Sequence, residues 1–393
     1  MKHRTSACEE QLVFLYRSPE DETDYFTERN IELAKRLALL TGRRFVSEFR
    51  SDLEEAPPDA FWFLHGPITP VEARLIGLRG QDFFGGVAER IHAQKSVFHT
   101  PLRGSSAIPE TFPSSFTNYL LHQGILLPGY TAFTRLEARE AFERLQGAGY
   151  RVRFKSALGA GGKGHGIVDT RSTLESKMSR ITESELHTYG VVLEANVIGP
   201  GGVPPESLSG GWIEVDGRTY SYVGRMSFIP GSPRSDYVGT EIYIGRGSPD
   251  KLRPPTYRYW LPLLRMLCAF REANRLLPSF TATRCNYNFV RGYLDHVVAH
   301  RQERDTGVVI GATEPTFRAG GATSAELLGM EFLDNNLDVE LFHLRSQQLW
   351  GKDVNVPAGQ NVRVIYEGLS TGKDGIPLPA SATVEIIGSR RSR

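Results

Sequence analysis

Lys155 closes the strand-like run YRVRFK and is followed by SALGAGGKGHGIV, where five of the eight positions Gly159–Gly166 are glycine. Glycine tolerates positive φ, so backbone N–H groups can converge on anionic oxygens with no Cβ in the way. Lys155 and Lys163 add cations, and the chemistry this set could perform is to hold a phosphate. Gly159, Gly161 and Gly164 satisfy G-x-G-x-x-G, but a dinucleotide fold needs that loop to open a helix. The β-branched HGIVDT follows instead. A phosphate-binding P-loop fails too, because Ala157 occupies the place of its first glycine and Gly164 follows Lys163. The reading left is a β-hairpin whose tip folds over phosphates, with Lys155 reaching the same anion from the sheet. The plain alternative is a surface turn with Lys163 and His165 solvated. A hairpin turn, however, needs only about two to five residues and fewer glycines than this. No Cys or Ser stands in a nucleophile setting with His, so covalent catalysis by the protein has no support.

The elements that must position these groups follow from pattern. QLVFLYR reads as a strand, TERNIELAKRLALLTG as a helix with Ile31, Ala34, Leu37 and Ala38 on one face, and RRFVSEF and AFWFLHG as strands. This β-α-β order implies a small parallel sheet over residues 1–115. His65 and Gly66 fall just past a strand end, where such sheets bind ligands, though a loop histidine is the plainer reading. SSAIPETFPSS is a linker candidate. Beyond it, Thr134 and Glu137 have capping-box spacing before a helix ending at Gly147. VVLEANV reads as a strand, RTYSYVGRMSFI and YVGTEIYIG as paired strands, and YRYWLPLLRMLCAFREANRLL as a long helix with Cys268 in its core. CNYNFVRG and VVIGATEPTFR are strands, ATSAELLGMEFL is a helix, and residues 336–393 are β-rich.

Length and composition bound the class. At 393 residues, two or three domains are expected. Net charge +1 offers no basic field for nucleic acid. Three cysteines without a CxxC suit a reducing compartment, and no apolar run of membrane length or signal segment is visible, so the cytoplasm is expected.

GILLPGY, VRFKSALGAGGKGHGIV, VVLEANV and ATEPTFRAGG, in that order, resemble the ATP-grasp superfamily over about Gly124 to Gly329. With DFFGGVAERIHAQKSVFHTPL, the whole chain is similar to an uncharacterised bacterial branch of it. The resemblance implies an N-terminal α/β domain (1–115), a small lobe with the glycine-rich hairpin (116–198), a large lobe with the metal site (199–335) and a C-terminal extension (336–393). It implies α/β and α+β lobes clamping ATP and Mg²⁺, with Mn²⁺ as the substitute ion. Lys155 would contact the α/β-phosphates, with Gly159, Gly161, Gly162, Lys163 and Gly164 closing over them. Glu194, Ala195, Asn196 and Val197 would form the hinge that reads adenine. Lys95 would be the upstream lysine, at a spacing of 60 where about forty is usual. Glu314 would ligate metal and Arg318 would face the transferred phosphoryl group. Arg225, in a segment with Arg234, Asp236, Tyr237 and Glu241, would orient a substrate carboxylate, unless it is a surface arginine on a hairpin. Asn286 is another residue for this cleft.

The sequence departs from the family at the metal. Asn288 stands where a carboxylate is usual, and Thr316 where Asn is usual. A unit charge pair at ~4 Å and an effective ε of 20 is worth about 4 kcal/mol, so the loss of one acid weakens metal binding unless Glu326, Asp295 or Glu241 replaces it. The function expected is ATP-dependent C–N ligation through an acyl phosphate with release of ADP, on a small-molecule carboxylate and amine, with a homodimer as an option. A kinase on the same fold and a non-catalytic nucleotide-binding protein are the alternatives.

Overall fold

A computed structural model describes residues 11–17, 25–49, 56–57, 59–158, 164–228, 237–297, 307–350, 359–371 and 377–391. Among them, Arg44–Phe49, Leu12–Tyr16, Phe61–Leu64 and Phe83–Phe84 lie side by side as a four-stranded parallel sheet. Phe61–Leu64 is buried at every position because both faces of a parallel sheet are covered. The helix Tyr25–Leu40 turns Leu33, Ala34, Leu37 and Ala38 inward. Arg17 and His65 directly follow the carboxyl ends of neighbouring strands.

The small lobe is an antiparallel sheet in the order Gly129–Ala132, Val191–Ala195, Val152–Ser156, His165–Val168. Its helix Arg135–Gly147 starts on the Thr134–Glu137 capping box read from the sequence. The glycine-rich loop joins two antiparallel neighbours in which Lys155 faces His165. A strand therefore follows the loop, which excludes the dinucleotide arrangement. Phe142, Leu145, Phe154, Leu174 and Leu193 give this lobe its own core.

The large lobe is a nine-stranded sheet. Val197–Ile198, Arg284–Leu294, Glu206–Val215, Arg218–Phe228, Tyr237–Arg246, Val339–Trp350, Pro377–Arg391 and Val362–Thr371 follow in that order, and Val309–Thr316 also pairs with Arg284–Leu294. The β-rich C-terminal strands thus continue the large sheet instead of standing apart from it. The helix Tyr257–Ala273 covers one face and Thr323–Asn335 the other. Cys268 is only half-buried on the first of these, contrary to its expected core place, while Cys285 is buried. Leu33, Phe61 and Phe63 share one apolar cluster with Ile242, Ile244, Leu327, Leu328 and Leu344. Each such side chain contributes roughly 1.5–3 kcal/mol by leaving water, so the parallel sheet and the large sheet are held as one body.

The small lobe meets that body along a narrower seam. Arg151 N–H donates to the Asp295 carbonyl (2.9 Å) and Asp295 N–H to the Asn196 carbonyl (2.8 Å). Asn196 Nδ2 donates to Asp295 Oδ2 (2.8 Å), and Tyr150 lies 5.0 Å from the His296 ring. The short turn Lys95–Phe98 is wedged beside it, with Val97 and Phe98 in the large-lobe core and the Ser96 carbonyl accepting from Thr131 Oγ1 (2.6 Å). No helix among the described residues is long and apolar enough to cross a membrane.

Candidate functional site

Segments from both lobes meet beside the paired strands Val152–Ser156 and His165–Val168. Lys155 sits near the end of Val152–Ser156, almost wholly buried, with Nζ 2.5 Å from Glu194 Oε1. The second oxygen of Glu194 lies 2.9 Å from His99 Nε2. An ionised carboxylate only accepts, so His99 Nε2 carries the proton. The His99 ring lies against Gly129, where a Cβ would come within 2.7 Å of Nδ1. Burial pushes the Glu194 carboxyl up, but the Lys155 ammonium and the His99 hydrogen bond pull it further down, to about 2. Glu194 therefore stays charged and its side chain faces inward. Ala195 N–H donates to the Pro128 carbonyl (2.7 Å) and Asn196 N–H to the Arg151 carbonyl (2.8 Å). Neither of these two amides of the expected hinge is left for a purine. Val197 begins the short strand paired with Tyr293–Leu294.

Lys95 enters from the wedged turn. It is 3% exposed, with Nζ 3.8 Å from Glu314 Oε1. Burial lowers its pKa; Glu314 opposes that, while Lys155 and Arg318 lower it again. His165, opposite Lys155, leaves its buried Nε2 with no hydrogen bond. Burial, then Lys95 and Lys155, push its pKa down to about 3, so the ring is neutral. Lys95, Lys155 and Arg318 thus gather around Glu314 and Glu194, three cations to two carboxylates. That excess is what an anionic ligand requires. Of the hairpin tip, Gly164 is described, with φ +74° and its carbonyl accepting from Ser156 N–H (3.1 Å). Gly159, Gly161, Gly162 and Lys163 lie outside the described residues, as do Arg234 and Asp236.

On the large-lobe side, Asn288 lies directly opposite Glu314 and Asn286 opposite Thr316. Directly opposed residues in an antiparallel pair point to the same face, so the two expected metal positions are adjacent. The expected replacement acids are elsewhere. Glu326 is fully buried, both oxygens 2.7 Å from Arg284 nitrogens. Asp295 is held by Asn196. Glu241 accepts from His343 Nε2 (2.7 Å) and Arg345 Nη2 (3.1 Å). No group of three His, Cys, Asp or Glu that could hold a metal occurs among the described residues. One carboxylate and one amide do not make a protein-built cage, but they suit Mg²⁺ that arrives on the phosphates of its nucleotide. Asn286, expected at the cleft, donates instead to Ser209 Oγ and Tyr222 Oη, both at 2.7 Å.

Arg225 is not brought to this cleft. Asn288 is opposite Ser209, and Ser209 opposite Gly224; Arg225 is opposite Leu208, and Leu208 opposite Phe289. Its side chain thus leaves the sheet on the other face. There it lies 4.8 Å from the Tyr259 ring and pairs with Glu206 at 2.7 Å.

Sequence reasoning missed His99 and Arg284. His99 shares a segment with Lys95, which was the one available signal. Arg284 holds Glu326 and also donates to the carbonyls of Thr316 (3.3 Å) and Arg318, so a buried fork pins the strand end that carries Glu314 and Arg318.

A family model described as "Protein of unknown function (DUF3182)" matches residues 13–376. No curated protein matches the sequence at a significant level. Among solved structures, the biotin carboxylase of Campylobacter jejuni in complex with β-γ-ATP superposes with a TM-score of 0.54 at 14% identity, over 98% of this chain and 88% of that one. The biotin carboxylase domain dimer of Hydrogenobacter thermophilus 2-oxoglutarate carboxylase, with MgADP, ADP and bicarbonate, gives 0.55 at 13%, over 95% and 86%. These likenesses establish the ATP-grasp fold.

Proposed function

We propose, from the premise that the chain belongs to the DUF3182 family of proteins of unknown function and has the ATP-grasp fold, that it is an ATP-dependent carboxylate–amine ligase acting through an acyl phosphate. The observation that carries the reading is the meeting of Lys95, Lys155 and Arg318, from three separate segments, beside Glu314 and Glu194.

Lys155 has three N–H donors, and Glu194 takes one. The others remain for phosphate oxygens, while Glu194 keeps the ammonium oriented. Lys95 and Arg318 neutralise charge where the γ-phosphoryl group transfers, which is the main demand of such a reaction. A substrate carboxylate oxygen attacks the γ-phosphorus, the bond to the β,γ-bridging oxygen breaks, and ADP leaves. The amine nitrogen then attacks the acyl carbon, phosphate departs, and the amine gives up one proton to solvent. Mg²⁺ bound with the substrate nucleotide would supply further charge neutralisation, and Glu314 with the Asn288 carbonyl would be its protein contacts.

The test is ADP and phosphate release over a panel of small carboxylates, amino acids and amines. ADP formed only when both an acid and an amine are present supports ligation. ADP formed with one acceptor and no free phosphate supports a kinase. The single carboxylate at the metal position favours a second reading, a non-catalytic nucleotide binder. Tight ATP binding without turnover in Mg²⁺ or Mn²⁺ would establish that reading over the first.

A further inference from the structure

Arg318 borders a second group of polar side chains, at the carboxyl edge of the parallel sheet. His65 follows the strand Phe61–Leu64, its N–H donating to the Tyr16 carbonyl (3.0 Å). Arg29 and Asn30 lie in the helix Tyr25–Leu40 and are 1% and 0% exposed. Arg29 Nε and Nη2 lie 3.3 and 3.0 Å from Asn30 Oδ1. A guanidinium only donates, so the atom facing it must be the amide oxygen, and the orientation of Asn30 is fixed. Asn30 Nδ2 therefore donates to His65 Nδ1, 3.1 Å away. An Nδ1 that accepts puts the ring proton on Nε2. Burial, followed by Arg318, Arg29 and Arg17, holds the His65 pKa down to about 4, so this is the neutral tautomer at neutral pH. Arg17 is occupied by Glu48 at 2.5 Å, whereas Arg318 forms no ion pair among the described residues.

We propose that this edge binds the carboxylate of the acid substrate, one oxygen accepting from His65 Nε2–H and the other from the Arg318 guanidinium. Asn30 and Arg29 are positioning residues that fix the imidazole tautomer. The proposal rests on the phosphoryl-transfer reading, since Arg318 then stands between the nucleotide cluster of Lys95 and Lys155 and the oxygen that attacks. A planar monoanion suits one N–H and one guanidinium fork. A phosphate, with close to two charges, would draw a proton onto His65, which three neighbouring guanidinium groups oppose. The cleft at a strand's carboxyl end is also where open α/β sheets bind ligands.

The full chain, loaded with a non-hydrolysable ATP analogue, is titrated calorimetrically with acetate, succinate, L-aspartate, L-glutamate and inorganic phosphate. At least one carboxylate should bind. His65→Ala should weaken it about tenfold or more with nucleotide affinity unchanged, and His65→Gln, which restores an N–H, should recover part of the loss. Asn30→Asp is near-isosteric but cannot donate to Nδ1. It should weaken the same carboxylate comparably and move the ring proton off the Nε2-only state, read from imidazole ¹⁵N shifts. Normal nucleotide binding with no carboxylate bound overturns the proposal, as does unchanged carboxylate affinity in His65→Ala or preferential binding of phosphate. A wild-type chain that binds no nucleotide overturns the phosphoryl-transfer reading instead, and the same titrations on the unloaded chain then decide the carboxylate subsite alone.

Discussion

Glu194 and Glu326 are both carboxylates buried against a cation, yet the two neighbourhoods differ in what is left over. Around Glu326, Arg284 directs its donors to both carboxylate oxygens and to the carbonyls of Thr316 and Arg318. Around Glu194, Lys155 makes one short contact and faces His165, with Lys95 near by. The first pair is saturated and fixes backbone. The second carries surplus positive charge and leaves donors for a ligand. Burial of an ion pair alone does not mark a site; an incomplete set of partners inside a cleft does.

That contrast can be broken first at the saturated pair. Arg284→Met leaves Glu326 buried without its cation and should cost about 3–5 kcal/mol, read by denaturant unfolding. Adding Glu326→Leu should recover much of it, and a single-variant loss under about 1 kcal/mol would put the pair in the class of surface bridges.

The unsaturated pair should show itself in acid. The Glu194 carboxyl falls from 4.5 to about 2 on folding. A depressed carboxyl contributes stability above its unfolded value, and that contribution is lost as pH falls from 4.5 through about 2. Each unit is worth about 1.4 kcal/mol, so roughly 3 kcal/mol is at stake. The wild type should lose this much more than Glu194→Gln over that window; parallel curves would mean the carboxylate is not held charged.

Lys155→Met should lower nucleotide affinity about a hundredfold by removing charge-assisted contacts of roughly 1.5–3 kcal/mol. It should also cost some stability, less than Arg284→Met, because His99 remains on Glu194. Affinity unchanged in calorimetry would make Lys155 as structural as Arg284. The smallest effect is expected from Asn288→Asp, which should tighten Mg²⁺ binding to the nucleotide complex about tenfold, or ~1.4 kcal/mol. No change there would move the metal position away from Asn288 and Glu314.

Local chemistry was the legible part of this sequence. HGIV after the glycines announced a hairpin, and Thr134 with Glu137 announced a helix start, because both depend on residues a few positions apart. The resemblance assigned Asn288 and Glu314 to one site, while their direct opposition across two strands is a finding of the structure. The parity of a strand was not legible. Tyr220 and Tyr222 face one apolar layer while Val223 and Arg225 face the other, and both runs are apolar enough for either face. A one-residue difference therefore sent Arg225 away from the cleft. Nor could sequence show Arg284 meeting Glu326, or Asn30 meeting His65, since these contacts exist only after distant segments pack.

Asp295 gives the small lobe its carbonyl, its amide and its carboxylate at once. Because the parallel sheet and the large sheet are one body, Asp295 is a joint between that body and the small lobe. On the proposed ligase reading, release of product would depend on the stiffness of this joint, which lies apart from Lys95, Lys155 and Arg318. Substitutions at that joint would then change the rate of turnover without touching those three residues.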